Sequence, residues 1–502
     1  MRKLDRREIL LQSAGLLGTL ALPPGGQAAD TDSVAPHNAI GERVGEVGAD
    51  SATVHTRLTA APTRNNLGYS FPVYTHNVDT IGVLSKIRIP DGLSIAGLEG
   101  ACPGKPGHVR LQYSHEPNLS RAASTDWVAV GPQTDYTHQF RLRGLTPGSR
   151  YYYRVEIASL NRKSSRRGNV GNFRTAPEQD RWAPVKFLAL SCQDYACRDH
   201  LDGYRTYQAM SRQQADFVAS IGDNVYYDLD LPFATTIDLA RFHWHRMYSQ
   251  PLVMELFRNT AGYWLKDDHD SHEDDNWSTR PTQRVAPMSY QDLSPIFVEQ
   301  VPMGPSTYRR FRWGKGLEVW LVENRDFRSP NWDPDGPEKT IWGAKQKAWL
   351  KRSLLESNAD FRVLISPNCI VGPDPGHGPP FKLPGGGADS HGDGGFEFEG
   401  REFRHWVKDN RLTNFLTING DRHWQYHSVD PETGLQEFCC GAVTDAHSVK
   451  DKVLIPRYHK FLRTRGGYLS LALEGSAAAP ILAIKVLDID GHVVHKTELR
   501  RT

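Results

Sequence analysis

The chain has 502 residues, too many for one ordinary hydrophobic core, so two folded domains are the natural expectation. Its 60 basic and 58 acidic residues leave a net charge of +2, which excludes a polyanion clamp for nucleic acid and requires any charged small substrate to be met locally. After the N-terminus no run of about 18 apolar residues occurs, so no membrane span is expected in the mature protein.

Residues 1–29 stand apart from the rest. Arg6-Arg7 precede Ile9, Leu10 and Leu11, residues 14–22 are apolar, Pro23-Pro24-Gly25-Gly26 breaks the run, and Ala28-Ala29 offers small residues for cleavage. This reads as a twin-arginine-type signal peptide in preference to an ordinary secretory one. It makes the twin-arginine machinery an expected partner and the periplasm or the exterior the expected destination. Six cysteines follow: Cys102, Cys192, Cys197, Cys369, Cys439 and Cys440. Their spacing shows no zinc pattern, and the adjacent Cys439 and Cys440 read as buried thiols on a strand.

From about residue 36 to 177 the sequence predicts short strands: 51–58, 108–114, 138–142 and a run starting at Tyr151 after the Pro147-Gly148 turn. We expect an all-β immunoglobulin- or fibronectin-like sandwich here, closed by residues 172–177 and followed by a polar linker at 178–184. It gathers no titratable groups and is expected to act as a structural or positioning unit. Beyond Pro184 the pattern changes to buried strands (185–190, 216–221, 317–322, 361–366, 415–419) alternating with helices (205–214, 342–355), which predicts an α/β layered domain over 185–500. Trp349 and Leu350 are expected to face inward from the second helix. The Gly-, Pro-, Asp- and His-rich stretch 372–400 reads as a long loop near the site. Residues 468–473 and 484–489, with a turn at Asp490-Gly491, read as a closing pair of strands.

Ligands of open α/β sheets gather beyond the C-terminal ends of the strands. Four polar clusters fall there: Ser191-Cys192-Gln193; Gly222-Asp223 with Tyr226; Asp267-Asp268-His269-Asp270 with Asn276-Trp277; and Gly420-Asp421-Arg422-His423. Each alone is an ordinary turn or an acidic loop. Together they supply a thiolate, a phenol, carboxylates, an amide and imidazoles, an inventory that fits a multinuclear metal site for phosphoryl chemistry.

With Trp342-Gly-Ala-Lys-Gln346 and Trp349-Leu350, these motifs resemble the alkaline phosphatase D (PhoD-like) family of metallophosphoesterases over nearly the whole chain. The resemblance implies a four-layered α/β metallophosphoesterase sandwich behind the β-domain. It implies Fe3+ held by Cys192, Asp223, Tyr226 and His423, and Ca2+ near Asp223, Asn276 and Asp421, with Asp267 or Asp268 contributing. The expected partner is a small phosphate ester, monoester or diester, cleaved by attack of metal-bound hydroxide, with His269 and Asp268 as the catalytic pair. His269 is assigned to protonating the leaving alkoxide or positioning the phosphate. A phospholipase D-like phosphodiesterase is the near alternative, and a non-catalytic exported calcium-binding protein the distant one. The chain departs from the family pattern in a longer 267–277 stretch and in Glu323-Asn324-Arg325 where Asp-Thr-Arg is usual. Arg325 is expected to contact phosphate or to brace a ligand.

Overall fold

A computed structural model describes residues 31–72, 87–373, 389–392 and 394–501. The export segment 1–29 and most of the 372–400 stretch lie outside the described residues.

Two sheets face each other. The larger has nine strands and contains the parallel run Val185–Leu190, Phe217–Ile221 and Ala261–Leu265, with Gly467–Gly475 antiparallel against Val185–Leu190. The seven-stranded sheet contains the parallel run Leu317–Leu321, Phe361–Ser366, Phe415–Asn419 and Gln436–Cys440. Side chains alternate along each strand. Phe187, Ala189, Phe217, Val363, Ile365 and Ile418 meet in the core between the sheets. Their neighbours Leu188, Leu190, Val218 and Trp264 face outward, under the helices Arg205–Ser211, Ile237–Tyr248, Pro251–Asn259 and Tyr290–Gln300. On the far side Trp320, Leu364 and Phe415 pack beneath Gly343–Glu356 and Glu397–Asp409. Gln346, Leu350, Ser353 and Leu354 form the buried stripe of Gly343–Glu356, at the spacing of one helical face. The layers therefore run helix, sheet, sheet, helix, as the family resemblance implied.

The N-terminal strands are joined to this body more closely than a linked pair of domains would be. Ser51–Arg57 pairs with Thr137–Arg143 and with Arg43–Gly45, and Arg43–Gly45 continues the nine-stranded sheet beside Ala261–Leu265. Gly107–Ser114 and Arg150–Ala158 form the centre of a separate sheet. Side chains of this region also satisfy the end of the helix Tyr290–Gln300, whose last carbonyls lack helical donors. Arg43 donates to the Gln300 carbonyl at 2.6 Å, and Gln139 donates to those of Val298 and Val301 at 2.9 and 3.0 Å.

Two expectations are corrected. Asp490-Gly491 does not close the last pair of strands. Residues 476–479 make that turn, and Asp490-Gly491 leads into a third antiparallel strand, Val493–Arg500. Trp349 is only half buried, resting on Tyr308, whereas Leu350 is fully buried.

Phe217 shows how the core is fastened. Its ring stacks on Phe187 (4.6 Å) and Trp313 (5.0 Å) and meets Tyr263 edge-on (4.8 Å), so it holds one sheet against the other. Phe217→Ala should cost about 3–5 kcal/mol by leaving a cavity between rigid sheets, read as a lowered midpoint in chemical denaturation. A midpoint equal to wild type would mean that the sheets collapse onto the gap freely.

Candidate metal centre

The site lies where the C-terminal ends of the two parallel runs meet. Three of the strand ends turn abruptly. Cys192, Asp223 and Asp421, each two residues beyond a strand, have φ of 58°, 52° and 61°. A non-glycine residue in the left-handed region is uncommon and costs free energy, and such residues cluster at functional sites. Glycine makes the close approach possible. A Cβ on Gly222 (φ 82°) would stand 2.5 Å from the Cβ of Asp267, and one on Gly420 would stand 2.3 Å from the Ile221 carbonyl oxygen. The Asp421 amide donates to Ser191 Oγ at 3.1 Å, tying the two sheets together at this point.

These turns bring two donor groups together. Cys192, Asp223 and His423 converge, as do Asp223, Asp267, Asp268 and Asp421, each set with one donor atom per residue inside 4.8 Å of the others. Tyr226 joins them through its hydroxyl, 3.1 Å from Asp223 Oδ2. Asp223 Oδ1, Asp268 Oδ1 and Asn276 Oδ1 are buried without a hydrogen-bond partner among the described residues. Asn276 is aimed by its amide nitrogen, which donates to the Asp268 carbonyl (2.7 Å) and to Ser271 Oγ (3.1 Å). Buried oxygens left unpaired are costly in a protein. Burial and then the neighbouring Asp268 push the Asp223 carboxyl well above its ordinary pKa. Bound cations remove both penalties, and the donor set suits them.

His269 sits within the same space. Its Nδ1 is 2.7 Å from Asp228 Oδ1, and its ring lies over Tyr226 at 4.4 Å. Asp228 is itself held by Arg284 (2.8 Å). Burial pulls the imidazole pKa down, but Asp228 and Asp268 outweigh it and hold the ring well above the ordinary value.

Models of the PhoD-like phosphatase family match residues 187–465, and of the PhoD-like phosphatase N-terminal domain residues 26–177. The chain belongs to the PhoD-like phosphatase family. Alkaline phosphatase D of Bacillus subtilis (strain 168) is 22% identical over 349 residues, a match that spans 61% of this chain and 57% of the relative's length. The solved structure of PhoD superposes with a TM-score of 0.70 at 17% identity, over 93% of this chain and 89% of the other. A purple acid phosphatase, PPD1 from yellow lupin (Lupinus luteus) seeds, superposes at 0.59 with 11% identity, over 92% and 74%. At these identities the structural matches speak for the fold.

Within this member of the PhoD-like phosphatase family the sequence-derived residues are brought together, and Arg325 takes the second of its two expected roles. Arg325 does not reach out for phosphate. It is fully buried, donates from Nε to Asp267 Oδ1 at 2.6 Å and from its amino groups to the Asn276 carbonyl (3.1 Å) and Asp389 (3.2 Å), so it braces the acidic loop. Sequence reasoning also missed neighbours. Asn368 donates to Asp421 Oδ2 at 3.1 Å and to Asp267 Oδ2 at 3.4 Å; it follows the strand Phe361–Ser366, so the strand-end rule would have found it. Asp389, within the 372–400 stretch, receives Arg325 and Arg422. His447 touches Tyr226 at 2.9 Å. Asp228 lies two residues beyond Tyr226, and nothing in the sequence pairs it with His269.

Arg325→Met should destabilise the fold by about 3–5 kcal/mol, because Asp267 and Asp389 stay buried with a counter-charge removed. Saturating divalent metal should recover part of this loss. Unchanged thermal unfolding in the metal-free variant would show that the brace carries no net stability.

Proposed function

We propose that this chain is an exported, metal-dependent phosphoesterase that hydrolyses phosphate monoesters, diesters or both. The convergence of Cys192, Asp223 and His423 with Asp267, Asp268 and Asp421 around unpaired buried oxygens carries this reading. The names of the relatives, an alkaline phosphatase D and a purple acid phosphatase, support a phosphate-ester substrate. The Arg6-Arg7 leader supports export.

The donor set divides by hardness. Cys192, Tyr226 and His423 offer a thiolate, a phenolate and an imidazole, and suit Fe3+. Asp268, Asn276 and Asp421 offer only oxygen and suit Ca2+. Asp223 belongs to both sets and has two oxygens to share. Between the neighbouring carboxylates we favour Asp268 as the ligand. Asp267 is engaged by Arg325 and Asn368, whereas Asp268 keeps Oδ1 without a hydrogen bond and is steadied through Oδ2 by the Asp275 amide at 2.7 Å. Bound metals would supply Lewis acidity toward phosphoryl oxygens and make water a nucleophile near neutral pH.

The chain's own residues then orient and move protons. Asp228 accepts Nδ1–H of His269 and fixes the ring, which leaves Nε2 to hold a proton for the departing alkoxide. The surrounding carboxylates favour the charged ring, and bound cations act in the opposite sense, so the proton is held loosely enough to be given up. Arg325, buried behind the acidic loop, keeps Asp267 and the Asn276 backbone in register with the site.

Turnover of an aryl phosphate and of a bis-aryl phosphate should separate monoester from diester preference. His269→Ala should lower turnover by about 10²- to 10⁴-fold with bound metal unchanged. A collapse of metal content in that variant would make His269 a ligand and overturn its assignment as proton donor. Iron bound by thiolate and phenolate should colour the protein; a colourless preparation holding only zinc or manganese would overturn the iron assignment. Metal-loaded protein that cleaves no phosphate ester would leave a calcium-binding role and sink the phosphoesterase reading.

A further inference from the structure

Beside the centre, a second set of donors is gathered from distant parts of the chain. Asp194 and Cys197 lie on the segment that leaves the strand Val185–Leu190, and His447 lies in the 3-10 turn Asp445–His447 beyond the strand Gln436–Cys440. Asp194 Oδ2 is 3.4 Å from His447 Nδ1 and 3.4 Å from Cys197 Sγ, and Cys197 Sγ is 4.0 Å from His447 Nδ1. A tetrahedral ion bound at about 2.0–2.3 Å separates its donors by about 3.3–3.8 Å. The three donors thus stand close to the spacing of one face of such a tetrahedron.

Each donor is aimed from behind. Asp194 caps the short turn Tyr195–Cys197, its Oδ1 accepting the Ala196 amide at 2.7 Å, which directs Oδ2 to His447 and Cys197. Thr444 Oγ1 accepts the His447 amide and seats the other turn. The imidazole faces both ways: Nε2 lies 2.9 Å from Tyr226 Oη, and Nδ1 is turned to Asp194 and Cys197. A histidine with one ring nitrogen on an oxygen and the other offered to a cation is the usual arrangement of a metal ligand. The Cys197 thiol donates to Asp194 Oδ2, and a cation would take the place of that proton.

We propose that Asp194, Cys197 and His447 form a site for one thiophilic divalent cation, Zn2+ by donor chemistry, separate from the Cys192–Asp223 centre and joined to it through the His447 ring. Three protein ligands leave the fourth position of the tetrahedron for water or for an oxygen of the substrate. Binding releases the thiol proton of Cys197 to solvent and forms the S–Zn bond in its place, with no change of oxidation state. The cation would fix the Tyr195–Cys197 segment and the 445–447 turn against each other, beside Tyr226. The site rests on the placement of its three donors and not on the phosphoesterase reading.

The test is zinc stoichiometry on the full chain. Wild type, Cys197→Ala and Asp194→Asn are equilibrated with Zn2+ alone and analysed for bound metals. Cys197 is only partly buried, so its replacement by alanine leaves no large cavity. We expect wild type to hold one zinc equivalent more than either variant, the other metals being equal in all three. With Co2+ in place of Zn2+, a thiolate-to-cobalt absorption band should persist in Cys192→Ala, where the main centre has lost its thiol, and vanish in the double variant Cys192→Ala/Cys197→Ala. Equal zinc in wild type and Cys197→Ala overturns the proposal. So does joint loss of all metals in Asp194→Asn that keeps native circular dichroism, since the cluster would then be part of the main centre.

Discussion

Buried carboxylates dictate the arrangement of the site. Asp223, Asp267, Asp268 and Asp421 stand within one small volume, the first three buried and Asp421 only partly exposed. Such a group is stable only with positive charge inside it, and the chain supplies part of that charge itself. Arg325 is turned wholly inward on Asp267, Asp268 and Asp389, and His269 adds a second cation beside Asp223 and Asp268. What remains is the set of oxygens on Asp223, Asp268 and Asn276 that accept no hydrogen bond among the described residues. The division is informative. The carboxylate that is neutralised by arginine braces the site, while the oxygens left open are the ones available to ions.

Holding donors in this way strains the backbone, and the sheets absorb the strain. Three residues in left-handed conformation sit directly beyond the ends of buried parallel strands, whose hydrogen-bonded registers leave the chain little room to relax. Gly222 and Gly420 let the strand ends approach closer than any side chain would permit. The facing of two sheets matters as well. Cys192 and Asp223 come from one sheet and Asp421 and His423 from the other, so the centre exists only while the interlayer core around Phe217 keeps the sheets in register.

Much of this is legible in the amino-acid sequence itself. The strands that carry the site are continuous apolar runs, and each polar cluster follows such a run directly, so a rule about strand ends locates Cys192, Asp223, Asp268, Asp421 and His423 at once. What escapes it are relations between side chains that share no sequence neighbourhood. Arg325 is visible as a residue type but not as a direction, since nothing in Glu323-Asn324-Arg325 tells whether the guanidinium turns to solvent or inward. The sheet shared with Arg43–Gly45 is hidden for a similar reason, because a three-residue strand has too little pattern to announce its partner. The turn at Asp490-Gly491 is recognisable as a turn, but its residues do not say which pair of strands it joins.

Cysteine spacing illustrates the limit most directly. Read along the chain, Cys197 has no partner at the intervals of a zinc motif. In space it stands with Asp194, three residues before it, and with His447, which arrives from beyond a strand of the opposite sheet. Spacing rules detect sites built on one turn or hairpin, where ligands are close in sequence because the backbone there is short. A site built between two sheets draws its ligands from both and has no such interval. The same holds for the main centre, where Cys192 and His423 meet from the ends of strands in different sheets. In a layered fold of this kind, the seam between the strand ends is therefore where donors accumulate, and one imidazole on that seam, His447, touches both sets of them.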